Sequence, residues 1–237
     1  MANVLKLQNI INVQASVQHL ATLFILHGSG SSGNDMKMWI DVLNREELKF
    51  PYVKIVYPTA PSQPYTPLDG MESNVWFDRL DISKTVPEKK ESINQICEIM
   101  SELIDKEVEA GIPIQKIMLS GFSMGGALAL HLAYRYRTSI AGCVAMSTFL
   151  NDNSLVYEAI KNNNGTKLPP LLQFHGLKDS LVPFKWGETT YKILKELNVD
   201  CKLIPIPNAD HELVQTEIKQ FTEHILNTLS NEHNPKL

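Results

Sequence analysis

Cysteine is scarce in this chain. Cys97, Cys143 and Cys201 are the only three in 237 residues, they lie far apart, and no C-x-x-C spacing joins any two. An odd, scattered set of this kind excludes a disulfide framework and fits a reducing compartment. Each sits within an apolar run, where a cysteine is ordinarily a small buried hydrophobe. Runs of basic residues are missing too. The formal charge is −4, and the Lys89-Lys90 pair reads as part of a solvated helix face, so nucleic acid is not an expected partner. No stretch approaches the 18 or so apolar residues that a membrane span needs, and the first residues, MANVLKLQNIINVQ, lack the apolar core and cleavage site of a signal peptide. These absences predict a soluble, cytosolic protein with no stable membrane insertion. There is no H-E-x-x-H, and the cysteines do not cluster with histidines at ligand spacing, so neither a metal nor another cofactor is expected.

What is present is an alternation of short apolar runs with longer segments of helical period. The strand candidates are Thr22 to Leu26, Val53 to Tyr57, Lys116 to Leu119, Ile140 to Ala145, Leu171 to Phe174 and Cys201 to Ile206. Most are continuously apolar, the pattern of strands covered on both faces. Helical spacing predicts helices from Pro87 to Ala110, where Ile93, Ile96, Met100, Leu103 and Ile104 recur, and from Leu213 to Leu229. The expected fold class is α/β: a mainly parallel central sheet with helices on both faces, in one domain over 1–237. Ligands in such sheets sit at the carboxyl ends of the strands. The stretch from Pro58 to Val86 breaks the alternation. Its prolines and its aromatics Tyr65, Trp76 and Phe77 predict a long ordered loop, either stapled by its own side chains or walling a site.

Residues 121 to 125 read G-F-S-M-G, after the apolar run Ile117-Met118-Leu119 and before the helix-forming run Ala127 to Leu130. That strand–turn–helix setting is what a nucleophile elbow requires, with Ser123 at its tip. A serine hydroxyl needs a base to take its proton, and in this fold an acid and then a histidine should follow on loops after later strands. Asp179 follows Leu171 to Phe174 in H-G-L-K-D-S-L-V-P, and His211 follows Cys201 to Ile206 in P-N-A-D-H-E-L. His27 precedes the serine, His131 and His224 fall on helices, His175 reads as support for the Asp179 turn, and Asp210 adjoins His211 too closely to orient it. An oxyanion needs backbone donors. Met124, after the nucleophile, supplies one candidate amide, and Ser29, in H-G-S-G-S-S-G after the first strand candidate, supplies the other. That glycine-rich loop has neither a P-loop ending nor a G-x-G-x-x-G fingerprint, which leaves nucleotide binding a poor second.

With these residues in place, the chain resembles the acyl-protein thioesterase and lysophospholipase-like family of carboxylesterases, α/β-hydrolases by fold. The resemblance rests on F-I-L-H-G-S-G, Y-P-T-A-P, N-V-W-F-D, G-F-S-M-G-G-A-L-A-L, H-G-L-K-D-S-L-V-P and P-N-A-D-H-E-L, in the family's order from Phe24 to Leu213. The lysophospholipase-like protein 1 branch also shares the M-W-I segment at Met38 to Ile40. The resemblance implies a cytosolic serine hydrolase of carboxylic esters or thioesters, S-acylated protein cysteines included, with Ser123, Asp179 and His211 as triad and Ser29 and Met124 as oxyanion donors. It also implies that Trp76, in N-V-W-F-D, lies near the substrate. Many thioesterase members carry leucine at the Ser29 position and glutamine at the Met124 position, which alters the pocket but not the backbone donors. No cysteine stands near the first residue, so anchoring by lipidation there is not expected. A short-chain carboxylesterase or lysophospholipase with little depalmitoylase activity is the alternative reading. A non-catalytic binder on the same scaffold, or a peptidase or lactonase, are further readings.

Overall fold

The computed structural model describes residues 5–229. Seven strands form the main sheet: β1 (Ile10–Val13), β2 (Ala21–Leu26), β3 (Val53–Pro58), β6 (Ile117–Phe122), β7 (Gly142–Met146), β8 (Leu171–Gly176) and β9 (Cys201–Ile206), with β4 (Ser62–Tyr65) and β5 (Met71–Asn74) pairing apart as a hairpin. The spatial order is β1-β3-β2-β6-β7-β8-β9. Every pair from β3 to β9 is parallel, and only β1 runs antiparallel, against β3. The helices are α1 (Gly33–Asn44), α2 (Lys90–Glu109), α3 (Met124–His131), α4 (Leu155–Lys161), α5 (Phe184–Glu196) and α6 (Gln215–Leu229). This is the α/β-hydrolase architecture.

The continuous apolar strands are covered on both faces because successive side chains alternate between two cores. Leu23 and Ile25 of β2 point into one layer with Met36 and Ile40 of α1 and Ile218, Phe221 and Ile225 of α6. Phe24 and Leu26 point into the other, with Ile96 and Met100 of α2 and Leu128 and Leu130 of α3. Fully burying each such side chain contributes about 1.5–3 kcal/mol. Cys97 and Cys143 belong to this core, Cys201 is half-buried, and all three are free thiols. Burial pushes the Cys97 thiol up to about 12, so it stays protonated and unreactive.

Several boundaries differ from the sequence expectation, each for a local reason. Helix α2 starts at Lys90, not Pro87. Glu88 is drawn aside to accept the Leu155 amide at 2.9 Å, and Lys89 has non-helical angles (φ −78°, ψ 82°). Helix α1, which the sequence reading did not include, begins at Gly33, where the Ser32 hydroxyl accepts from the Asp35 amide and caps it. The stretch from Pro58 to Val86 is not one loop, since it contains the β4–β5 hairpin. Asp78 ties this region down by accepting from the Thr66 amide at 2.8 Å and from its hydroxyl at 2.7 Å. Asn151 does the same further on, donating to the carbonyls of Ser83 and Val86.

Candidate active site

The site lies at the carboxyl ends of β2, β6, β8 and β9. Between β6 and α3 the chain turns through Ser123, whose φ of 54° and ψ of −120° are a strained conformation for a residue with a Cβ. The turn is tight because its flanks are glycine. A Cβ on Gly121 would strike the backbone of Gly125, and one on Gly125 would strike the carbonyls of Leu26 and His27. The hydroxyl is thereby lifted above the sheet, and α3 points its N-terminus, the positive end of the helix dipole, at the same place.

His211 Nε2 lies 3.0 Å from Ser123 Oγ, and His211 Nδ1 lies 2.8 Å from Asp179 Oδ2. The three side chains come from three separate loops yet form one continuous chain of hydrogen bonds. Asp179 is itself fixed, since its other oxygen, Oδ1, accepts from the amides of Val182 at 2.7 Å and Leu181 at 3.1 Å. Burial alone would raise its pKa. The neighbouring His175 ring and the hydrogen bonds from His211 and the Val182 amide outweigh that and hold the carboxyl well below the usual carboxylate range. His175 Nε2, 3.5 Å from Asp179 Oδ2, donates to the Val182 carbonyl at 2.8 Å and so braces the turn.

Asp210, set aside as an acid candidate, links two loops. Its Oδ1 accepts from the Ser180 amide at 2.7 Å, the Ser180 hydroxyl at 2.8 Å and the His211 amide at 2.8 Å, which clamps the acid's loop to the histidine's. One flank of the imidazole is covered by Phe122 (ring centroids 4.8 Å apart), which is backed edge-on by Trp39 at 5.2 Å.

The loop from His27 to Gly33 closes the site from β2. Among the described residues neither the Ser29 nor the Met124 amide donates to a backbone acceptor, which leaves both free for an oxyanion. His27, passed over as a base, shapes this loop. Its Nδ1–H donates to the Gly28 carbonyl at 2.6 Å while Nε2 accepts from the Ala60 amide at 3.0 Å. That pairing needs the neutral imidazole, and burial lowers its pKa to about 4. Trp76 sits elsewhere than expected. It is fully buried, its indole N–H donates to the His27 carbonyl at 2.8 Å, and its ring packs on the His27 ring at 4.8 Å. It supports the loop from below and does not line the cleft.

The cleft over Ser123 is walled by Ser29, Tyr65, Arg79, Met124, Phe149 and Val182, among others, and its empty space, including the part open to solvent, is about 320 Å³. Tyr65 is one of the aromatics of the Pro58 to Val86 stretch, for which walling a site was one of the two sequence readings; Arg79 carried no sequence signal.

A nucleophile held by a histidine–carboxylate pair beside two free amides is the equipment of acyl transfer. Comparison with known proteins gives the same answer. Residues 8–229 match the phospholipase/carboxylesterase family. Lysophospholipase-like protein 1 of Mus musculus is 46% identical over 220 residues, covering 93% of this chain and 92% of that protein. Acyl-protein thioesterase 1 homolog 2 of Dictyostelium discoideum is 31% identical, covering 92% and 97%. The crystal structure of Zea mays acyl-protein thioesterase 2 superposes with a TM-score of 0.81 at 25% identity, covering 93% of this chain and 99% of that one. The chain therefore belongs to the phospholipase/carboxylesterase family of α/β-hydrolases and is a hydrolase of ester or thioester bonds.

Proposed function

We propose that Ser123, Asp179 and His211 are the catalytic triad of a one-domain serine hydrolase that favours esters and thioesters of short acyl groups. The observation that carries the triad is the unbroken chain from Asp179 Oδ2 through the imidazole to Ser123 Oγ, at 2.8 and 3.0 Å. His211 takes the Ser123 proton as Oγ attacks the carbonyl. The Ser29 and Met124 amides hold the oxyanion, and His211 passes the proton to the departing alcohol or thiol. Water, deprotonated by the same imidazole, then releases the acid. Asp179 keeps the proton on Nδ1, so that Nε2 can accept, and stabilises the imidazolium. Trp76 acts indirectly, by holding the His27 carbonyl and hence the Ser29 amide in place.

The preference for short acyl groups is supported by the smallness of the cleft, whose whole empty space, mouth included, is about 320 Å³. S-acylated proteins form a second reading, favoured by the names of the acyl-protein thioesterase relatives. No helix among the described residues is long and apolar enough to cross a membrane. Three free thiols support action in the cytosol, as a reducing compartment would keep them. A panel of esters and thioesters from two to sixteen carbons decides the substrate. The expected kcat/KM is highest at two to four carbons and falls by about 100-fold, or ~2.7 kcal/mol, by sixteen. Palmitoyl thioesters turned over as fast as acetyl esters would overturn the short-chain reading in favour of depalmitoylation.

A further inference from the structure

Among the polar groups lining the cleft over Ser123, Tyr65 and Arg79 stand out, and the hydrolytic mechanism uses neither. Tyr65 is 3% exposed, and its hydroxyl, beside the Ser29 side chain, makes no hydrogen bond of good geometry. A buried hydroxyl left unpaired is costly, so it calls for an explanation. Arg79 lines the same cleft. Its guanidinium packs over the Phe77 ring at 5.2 Å and the Phe149 ring at 5.7 Å. Among the described residues it forms no ion pair, and its Nε has no hydrogen-bond partner.

The acids near Arg79 are engaged elsewhere. Asp78 is paired with Lys89 and accepts from Thr66, while Glu88 faces His131 at 3.3 Å and accepts the Leu155 amide. Packing over the two phenylalanine rings satisfies none of its N–H donors. A guanidinium remains charged in proteins and fits a carboxylate through two parallel hydrogen bonds. A cleft meant for a plain aliphatic chain has no use for an unpaired cation and an unpaired hydroxyl.

We infer that the preferred substrate is an ester or thioester that carries a carboxylate close to the scissile carbonyl, held by Arg79 with the Tyr65 hydroxyl as a second donor. The inference rests on Ser123 being the nucleophile. In the reaction a Ser123 Oγ–acyl bond forms as the carbonyl's bond to the leaving oxygen or sulfur breaks. His211 passes the serine's proton to that leaving atom; water, giving a proton to His211, then adds to the acyl carbon as the Oγ–acyl bond breaks and Ser123 Oγ regains its proton. The carboxylate is unchanged throughout. It can belong to the acyl part, as in a dicarboxylic half-ester, or to the leaving alcohol.

Two pairs of isosteric esters separate these sources. Monomethyl succinate against methyl levulinate places the charge on the acyl side, and acetylglycolate against acetoxyacetone places it on the leaving side. The expected result is a higher kcat/KM for the charged member of one pair in the wild-type enzyme. Arg79→Met, which keeps much of the packing on Phe77 and Phe149, should lower that charged-to-neutral ratio by about 10- to 100-fold, the range for one hydrogen-bonded charge. Arg79→Lys should recover part of it. Tyr65→Phe removes only the unpaired hydroxyl and should lower the same ratio by a smaller factor. The neutral esters report separately on Ser123, because a Ser123→Ala enzyme that still hydrolysed them would remove the mechanism itself. Charged and neutral esters with equal kcat/KM in the wild type, or equal losses on both in Arg79→Met, would overturn the inference and leave Arg79 a packing residue.

Discussion

Ser123→Ala should lower kcat/KM for ester hydrolysis by about 10⁵- to 10⁶-fold, the scale seen when the nucleophile of a serine triad is removed. The loss should be one of chemistry, not of folding. Alanine keeps the Cβ, so the strained angles at position 123 (φ 54°, ψ −120°) are as demanding as before, and no neighbour gains or loses packing volume. Glycine would be a poorer control, because it would also relieve that strain. The check is steady-state hydrolysis of a short ester together with a thermal unfolding curve. The expected pair is no measurable turnover and an unchanged Tm. Turnover near the wild-type rate would remove Ser123 from the mechanism.

Asp179→Asn should cost about 10⁴-fold in kcat while the geometry stays intact. The direction follows from the surroundings of the carboxylate. Oδ1 accepts from the Val182 and Leu181 amides, and a carboxamide can meet both donors only with its oxygen. The NH₂ group must then face His211 Nδ1, where Oδ2 now sits at 2.8 Å. A donor there forces the imidazole proton onto Nε2, the atom that has to accept from Ser123. The substitution therefore leaves a histidine in place that cannot act as base. Stability responds with a definite sign. Because the folded-state pKa of Asp179 is depressed, its charge contributes stability above the usual carboxylate range, and that contribution is lost as pH falls through the folded value. Urea unfolding at neutral pH should thus show Asp179→Asn somewhat destabilised, with the difference from wild type shrinking in acid. A loss of activity under 10-fold would contradict the assigned role.

How much of this was legible in the sequence depended on how local the determining physics was. The five central parallel strands were visible because burial on both faces leaves unbroken apolar runs, and β9, a half-exposed edge strand, showed through its Leu-Ile-Pro-Ile end. The meeting of Ser123, Asp179 and His211 was legible because the three stand on loops at the carboxyl ends of β6, β8 and β9. Elements set by particular side-chain contacts were not visible. Strand β1 is only four residues long and owes its existence to pairing with β3. The β4–β5 hairpin contains Pro64 and the polar Met-Glu-Ser-Asn run, neither of which carries a strand signal. Trp76 was placed by family likeness near the substrate, but sequence position cannot distinguish the surface of a loop from its underside. The hydrogen bond to the His27 carbonyl decides that. The structural roles of His27 and Asp210, and the place of Arg79 in the cleft, were not legible for a related reason. Each rests on a contact with residues distant in sequence, and no spacing rule encodes it.

The central claim is that Ser123 is the residue acylated during turnover. The most direct measurement is peptide mapping by mass spectrometry after reaction with a fluorophosphonate probe, which traps an activated serine. The predicted result is one adduct per chain, on the Ser123 peptide, abolished in Ser123→Ala and strongly slowed in Asp179→Asn. An adduct on Ser29 or Ser147, or full-rate inactivation with Ser123 unmodified, would contradict it.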